Sequence, residues 1–143
     1  PPAQRALVKL PTWWWVTNSS WRTVSTTAWI PTPRGIVTIT VTAKPNTLLV
    51  NPGDATAENN GKFTCSGPGK AWRESDGDDA KSNCMYTYAS ASHTRAGGTY
   101  AANTAIKWTV TWRSNLGIGG LLPSIRTGLT TSVRVLEMQV LSR

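Results

Sequence analysis

The chain has little of what catalytic and membrane proteins are usually built from. One histidine, two cysteines, two methionines and one phenylalanine occur in 143 residues. No apolar run approaches the roughly 18 residues that a membrane-spanning helix needs. Nowhere does an i, i+3, i+4, i+7 apolar pattern persist for three turns, so very little helix is expected. Two cysteines and one histidine exclude the usual zinc sites. A nucleophile–histidine–carboxylate triad would have to form around His93, which lies among Ser92, Thr94 and Arg95 with no carboxylate beside it. Gly117-Ile118-Gly119-Gly120 follows a strand pattern but precedes no helix, so it is not a phosphate loop. No catalytic residue and no cofactor is expected; the chain reads as non-enzymatic.

What is present in excess is tryptophan, eight residues against a single phenylalanine. The polar share is carried largely by Thr, Ser and Asn, which favour strands and turns. The length fits one domain with its own core. The formal charge is +8, yet the cations are spaced singly from Arg5 to Arg143 and never form a run of three. A binder of duplex nucleic acid more often gathers its cations on one face, so nucleic acid is not the expected partner. Anionic envelope polymers or acidic proteins suit a diffuse positive field equally well, and ordinary solubility charge is the simplest account.

The acids, by contrast, concentrate: Glu74, Asp76, Asp78 and Asp79 fall within six positions. Their oxygens are weak calcium-ligand candidates, because the D-x-D-x-D-G register and its distal glutamate are absent. A solvated acidic loop is the plainer expectation.

Cys65 and Cys84 end two candidate strands and bracket the most polar part of the chain. A bond between them closes a loop of 18 intervening residues, worth about 3 kcal/mol on the chain-entropy account, and implies an oxidising, extracytoplasmic setting. The chain opens Pro1-Pro2-Ala3 with neither Met nor a signal peptide, as a trimmed or processed product would.

Residues 1–35 read as short Trp-rich strands, with Pro11 and the segment Pro31-Thr32-Pro33-Arg34-Gly35 as breaks. In Ile36 to Ala43 the residues Val37, Ile39, Val41 and Ala43 make one strand face and threonines the other. Lys44-Pro45-Asn46 reads as a turn, and Asn60-Gly61 as a two-residue hairpin connection leading to Cys65. Residues 66–83 read as an exposed loop. Ile106, Trp108, Val110 and Trp112 alternate with polar residues, so one face there is buried and one wet. Residues 114–123 read as a Gly-rich loop. A bulge near Val135-Leu136 would keep Val133, Val135, Leu136, Met138 and Val140 on the core side. Many short strands of this kind argue an all-β sandwich.

Several of these segments resemble PKD-type domains. Pro52-Gly53-Asp54-Ala55 is similar to the turn before their Cys-ended strand, where Gly-Asp-Gly is usual. Cys84-Met85-Tyr86-Thr87-Tyr88 resembles their Cys-x-His-Thr-Tyr segment, with Tyr86 in place of His. Gly98-Thr99-Tyr100 with the strand at 106–112, Cys65-Ser66-Gly67-Pro68-Gly69 and the ending Val133-Arg134-Val135-Leu136-Glu137-Met138-Gln139 are similar to secreted PKD-like proteins of high-GC Gram-positive bacteria. The resemblance covers 36–143, with 1–35 as a Trp-rich extension packing on it or extending from it. It implies an immunoglobulin-like sandwich of about seven strands, used on cell surfaces for adhesion, spacing or assembly, and no enzyme. Tyr88 would then bond the backbone like a tyrosine corner.

Contact residues are sought among the tryptophans and one loop. Successive strand side chains alternate faces, so either Trp14 or the pair Trp13 and Trp15 should point outward unless a second layer covers them. With Trp21 they are candidates for stacking on a neighbouring protein or a sugar. Leu116, Ile118, Leu121 and Leu122 form a second exposed apolar candidate. The expected function is protein interaction or assembly at an envelope, with partner or self-association. The alternatives are a carbohydrate-binding module on cell-wall glycan, or a viral or phage structural subunit.

Overall fold

Strands form wherever branched and polar side chains alternate, and three of these runs are long. The computed structural model describes residues 4–77 and 79–138. Eight strands follow in order: β1 Gln4–Leu7, β2 Pro11–Trp13, β3 Val24–Thr32, β4 Gly35–Asn51, β5 Phe63–Ser66, β6 Met85–Thr87, β7 Tyr100–Ser114 and β8 Gly119–Leu136. Helix among the described residues amounts to three short 3₁₀ turns. The fold is all-β.

Six strands make one sheet in the order β1-β8-β7-β4-β3, with β5 paired to the far half of β4. All neighbours are antiparallel except β1 and β8. The short β2 and β6 pair as a separate antiparallel sheet. Strands β4, β7 and β8 contain 17, 15 and 18 residues. At about 3.3 Å per residue they run on the order of 50 Å, whereas β2 and β6 have three residues each.

The core lies where the small sheet faces the large one. Tyr88, fully buried, stacks on Tyr100 at 5.0 Å and meets Tyr86 edge-on at 5.0 Å. Its hydroxyl donates to the Pro52 carbonyl at 3.0 Å, and that of Tyr100 donates to Ser90 O at 3.1 Å. Buried phenols need such partners. Cys65 on β5 and Cys84 just before β6 are bonded, tying the large sheet to the small one. Ala6, Leu48, Val50, Ala102, Ile106, Trp108, Val110, Val133 and Val135 complete the large sheet's contribution. Gly53 has no room for a side chain, since a methyl there would meet the Ala101 carbonyl.

Four expectations change, each for a stated reason. Lys44-Pro45-Asn46 is a bulge inside β4 and not a turn. Ala43 is the last β4 residue paired to β3 and Thr47 the first paired to β5, so Pro45 falls at the seam where no neighbour needs its missing N–H. The Asn60-Gly61 pair belongs to a longer connection between β4 and β5, in which Asn59, Asn60 and Gly61 all take positive φ. Residues 119–123 are strand and not loop, because β8 begins at Gly119. Beyond Val135 no bulge restores the inward phase: Leu136 and Met138 are exposed. Val140 lies outside the described residues.

Trp13 and Trp14 are both inside and Trp15 is outside, so the split does not follow strict alternation. Strand β2 ends at Trp13, and the Trp14 N–H turns to bond the Cys84 carbonyl at 2.9 Å. That carries its indole into the core cluster beside Cys84, at 3% exposure. Trp14→Ala should therefore cost about 3–5 kcal/mol in urea-unfolding experiments, the range for deleting a buried aromatic side chain. A loss below about 1 kcal/mol would place the indole outside the core.

Candidate functional site

Strand parity gives the large sheet two faces. In the lower half, inward positions of β4, β5 and β7 and the β8 end at Val133 and Val135 fill the core, inward Thr127 and Leu129 of β8 stay exposed, and the alternate positions face solvent. Followed through the registers to the upper half, inward parity continues through Ile30, Val37, Ile39, Val41, Trp112 and Leu122. The small sheet does not reach this far, and these side chains are half-buried or exposed. Val41, Ala43 and Val110 still reach the core, and the rest of 24–43 with 110–125 forms a single-layered arm, apolar on its inward face.

The arm's other face is polar. Ser25 and Thr42 share a hydroxyl hydrogen bond at 3.0 Å across β3 and β4, and Thr27 and Thr40 one at 2.8 Å. Thr38, Thr40, Thr42 and Thr111, with Arg113 and Gly119, line an open trough of about 1050 Å³. Asn115 caps the arm tip, accepting from Thr38 N at 3.0 Å and donating to Ile36 O at 2.9 Å.

The sequence candidates do not gather into one surface. Trp13 and Trp14 are interior, and Trp21 is half-buried against the core. Leu116 and Ile118 are exposed in the β7–β8 turn. Leu121 and Leu122 belong to β8, the first opposite Thr111 on the outer face and the second opposite Val110 on the inner one. Trp15 remains reachable at 41% exposure and, with Trp72 at 47%, lines a groove of about 710 Å³ floored by Leu10, Pro11 and Trp13.

In the acidic loop, Asp76 is held by the Lys70 ammonium at 2.6 Å and by the Arg73 N–H at 2.9 Å. These bonds keep its carboxyl below the usual carboxylate range. Asp78 lies outside the described residues. Among the described residues no three His, Cys, Asp or Glu side chains converge on a metal site. His93 is exposed in its turn, while Ser92 is buried and bonded to Gly98 O and Val135.

Compared with protein-family models, curated proteins and solved structures, the chain matches none.

Several prominent residues carry little signal in the sequence. Trp29 on the outer side of β3 and Ile30 on its inner side are 66% and 57% exposed, and Trp72 joins Trp15. The signal for Trp72 was weak, an aromatic in an otherwise polar loop. For Trp29 and Ile30 the strand was legible but not its lack of cover. The Tyr86 position also acquires a purpose. Its hydroxyl donates to Asp54 Oδ2 at 2.9 Å, and Asp54, 1% exposed, also accepts from Thr56 N and Oγ1. Gly61 lies so close to the Tyr86 ring that a methyl there would overlap it.

Burial first, and then the Asp54 hydrogen bond, push the Tyr86 hydroxyl up to about 12. Burial pushes Tyr88 up as well. The folded chain therefore holds these protons more tightly than the unfolded one, whose tyrosines titrate near 10. The associated stability is present below about pH 10 and is lost as pH rises from there towards about 12. Urea midpoints should fall over that window, and Tyr86→Phe should flatten part of the fall. A midpoint that does not change across it would contradict the tyrosine–aspartate contact.

Proposed function

We propose that the chain is a non-enzymatic module of protein interaction or self-assembly, exported to a cell envelope or surface appendage. The fold assigned in this reading is a PKD-like, immunoglobulin-like sandwich. It draws support from the PKD-like segments and from the Tyr88 hydroxyl bonded to Pro52 O in the manner of a tyrosine corner. The Cys65–Cys84 bond supports export, because persistent disulfides belong to oxidising compartments.

The observation that carries the reading is the arm's uncovered apolar face. Ile30 on β3, Val37 and Ile39 on β4, Trp112 on β7, and Leu122 and Ile125 on β8 follow one another across four neighbouring strands without a second layer. Contiguous exposed apolar area of this kind marks an interface. Every charged residue within the six strands has the opposite parity, so two such faces can meet without burying a charge. A second copy of the chain is accordingly the simplest occupant.

Sedimentation of the purified chain over a concentration series should show a dimer, with a melting temperature that rises with concentration. Ile39→Lys should weaken association at least about tenfold, or about 1.4 kcal/mol, and leave the monomer folded because Ile39 lies above the core. A chain that remains monomeric throughout, with Ile39→Lys changing nothing, sinks the proposal.

A sugar-binding reading is favoured by one specific feature, the groove in which Trp15 and Trp72 expose their rings together. Exposed indoles sharing a groove can stack on pyranose faces. Titrating solubilised cell-wall polysaccharide should then quench or shift the tryptophan emission, and Trp72→Ala should remove the change. An unaltered spectrum discards this reading.

A further inference from the structure

The six strands of the large sheet contain no aspartate or glutamate, and all six of their charged residues are cations. Arg5, Lys44, Lys107, Arg113, Arg126 and Arg134 are spread over 130 positions of sequence, which is why they look scattered there. Parity and register place every one of them on the outer face. All six are exposed. Among the described residues the one ion pair is Lys70–Asp76, away from this sheet.

Two of the cross-strand pairs set like charges opposite each other. Lys107 is paired to Arg126 across β7 and β8, and Arg5 to Arg134 across β1 and β8. Directly opposed like charges destabilise a sheet, and no acid within the sheet relieves them. Lys44 opposes Thr109, on the same face as the Lys107–Arg126 pair, and Arg113 follows further along β7. At about 3.3 Å per residue the cations mark a track some 50 Å long. Ser132, Thr130, Asn103, Thr111 and Thr40 share its parity and supply hydroxyl and amide donors between them.

We infer that this outer face binds a linear phosphodiester polymer with a polyol backbone, lying along the strands. Opposed cations without counter-acids are matched by successive phosphates, and the interspersed hydroxyls suit a polyol. Nucleic acid shares the phosphodiester chemistry but fits less well. Single strands are gripped by aromatic platforms for their bases, and Trp29 at the edge strand is the one aromatic side chain of outer parity in these strands. Duplex is read by an element that enters a groove, whereas this face is a broad sheet. The Cys65–Cys84 bond points to the extracytoplasmic side, away from the cell's own nucleic acids.

The inference stands independently of the proposed dimer, since it uses the opposite face. Fluorescently labelled poly(glycerol phosphate) is titrated with the full chain at several salt concentrations, and binding is read by anisotropy. Affinity should fall steeply with salt. The double variant Lys107→Gln/Arg126→Gln should weaken binding about tenfold and lower the log–log salt slope by about 1.4, or about 0.7 for each lost phosphate contact. It should melt no lower than the parent, because an opposed pair has been relieved. Lys9→Gln/Lys81→Gln, the same change in net charge at exposed sites off the sheet, should bind within about twofold of the parent, as should Ile39→Lys. Absence of polymer binding at low salt, equal losses in the two double variants, or tighter binding to single-stranded DNA or anionic vesicles would each overturn the assignment.

Discussion

Strands β4, β7 and β8 are several times longer than β2 and β6, the pair that covers them, and most features of the molecule follow from that mismatch. A sheet buries apolar area only where something lies against it, at roughly 25 cal/mol per Å². Below the bulge at Pro45 the large sheet's inward face, apart from Thr127 and Leu129 of β8, is covered by the small sheet, Trp14 and the tyrosine cluster. Above it the ladder simply continues. It can do so because each further backbone pair extends strands already anchored at one end, without a new loop to close. The arm is held by main-chain bonds and by cross-strand side-chain pairs, each contributing about 0.2–1 kcal/mol, while its apolar inward face stays available.

Local patterns revealed the strands far better than their surroundings. The alternation of Val37, Ile39, Val41 and Ala43 against threonines announces a strand with one apolar face, and β4 has it. Period 2 says that a face is apolar; it cannot say whether another layer reaches it. Pro45 was misleading for a related reason, since proline breaks a ladder only where an adjacent strand needs its N–H, and here neither β3 nor β5 does. The run Trp13-Trp14-Trp15 defeated parity because the strand ends inside it. The cationic face was hidden more thoroughly. Residues such as Arg5 and Arg134 become neighbours through a parallel pairing across the whole length of the chain, which no window of sequence contains. A coarser sign was nonetheless present: the acids are confined to residues 54–79 and to Glu137.

That confinement separates three kinds of surface. The inward face of the sheet is uncharged, its outward face is cationic, and the acids lie outside its strands, in connections or, for Glu137, just after β8. Among the described residues Asp54 is the one acid carried into the interior. It is accommodated because Thr56 and Tyr86 supply hydrogen bonds that replace water, and a buried carboxylate without them would be costly. Tyr86 thereby links the β4–β5 connection to β6. Together with the disulfide and the Tyr88–Pro52 bond, it fixes how the small sheet lies on the large one, and so where cover ends and the arm begins.

The arm's edges indicate how its inward face is reserved for face-to-face packing. An open sheet edge invites unwanted strand addition, and proteins blunt it with proline, charge or bulges. On β8 the register shift opposite Trp108 and Val110 puts Pro123 and Ser124 in a bulge, and β1 covers the strand's other end. On β3 the edge residues run from Val24 to Thr32 without a charge, and Pro31 interrupts only its last turn. Lateral addition along β3 is thus weakly opposed, whereas along β8 it is opposed by geometry. An occupant stacked on the inward face would have to span β3, β4, β7 and β8 together, and by crossing β3 it would also shield the less protected edge. The same contact that supplies the missing layer would then crowd the approach of a further strand to β3.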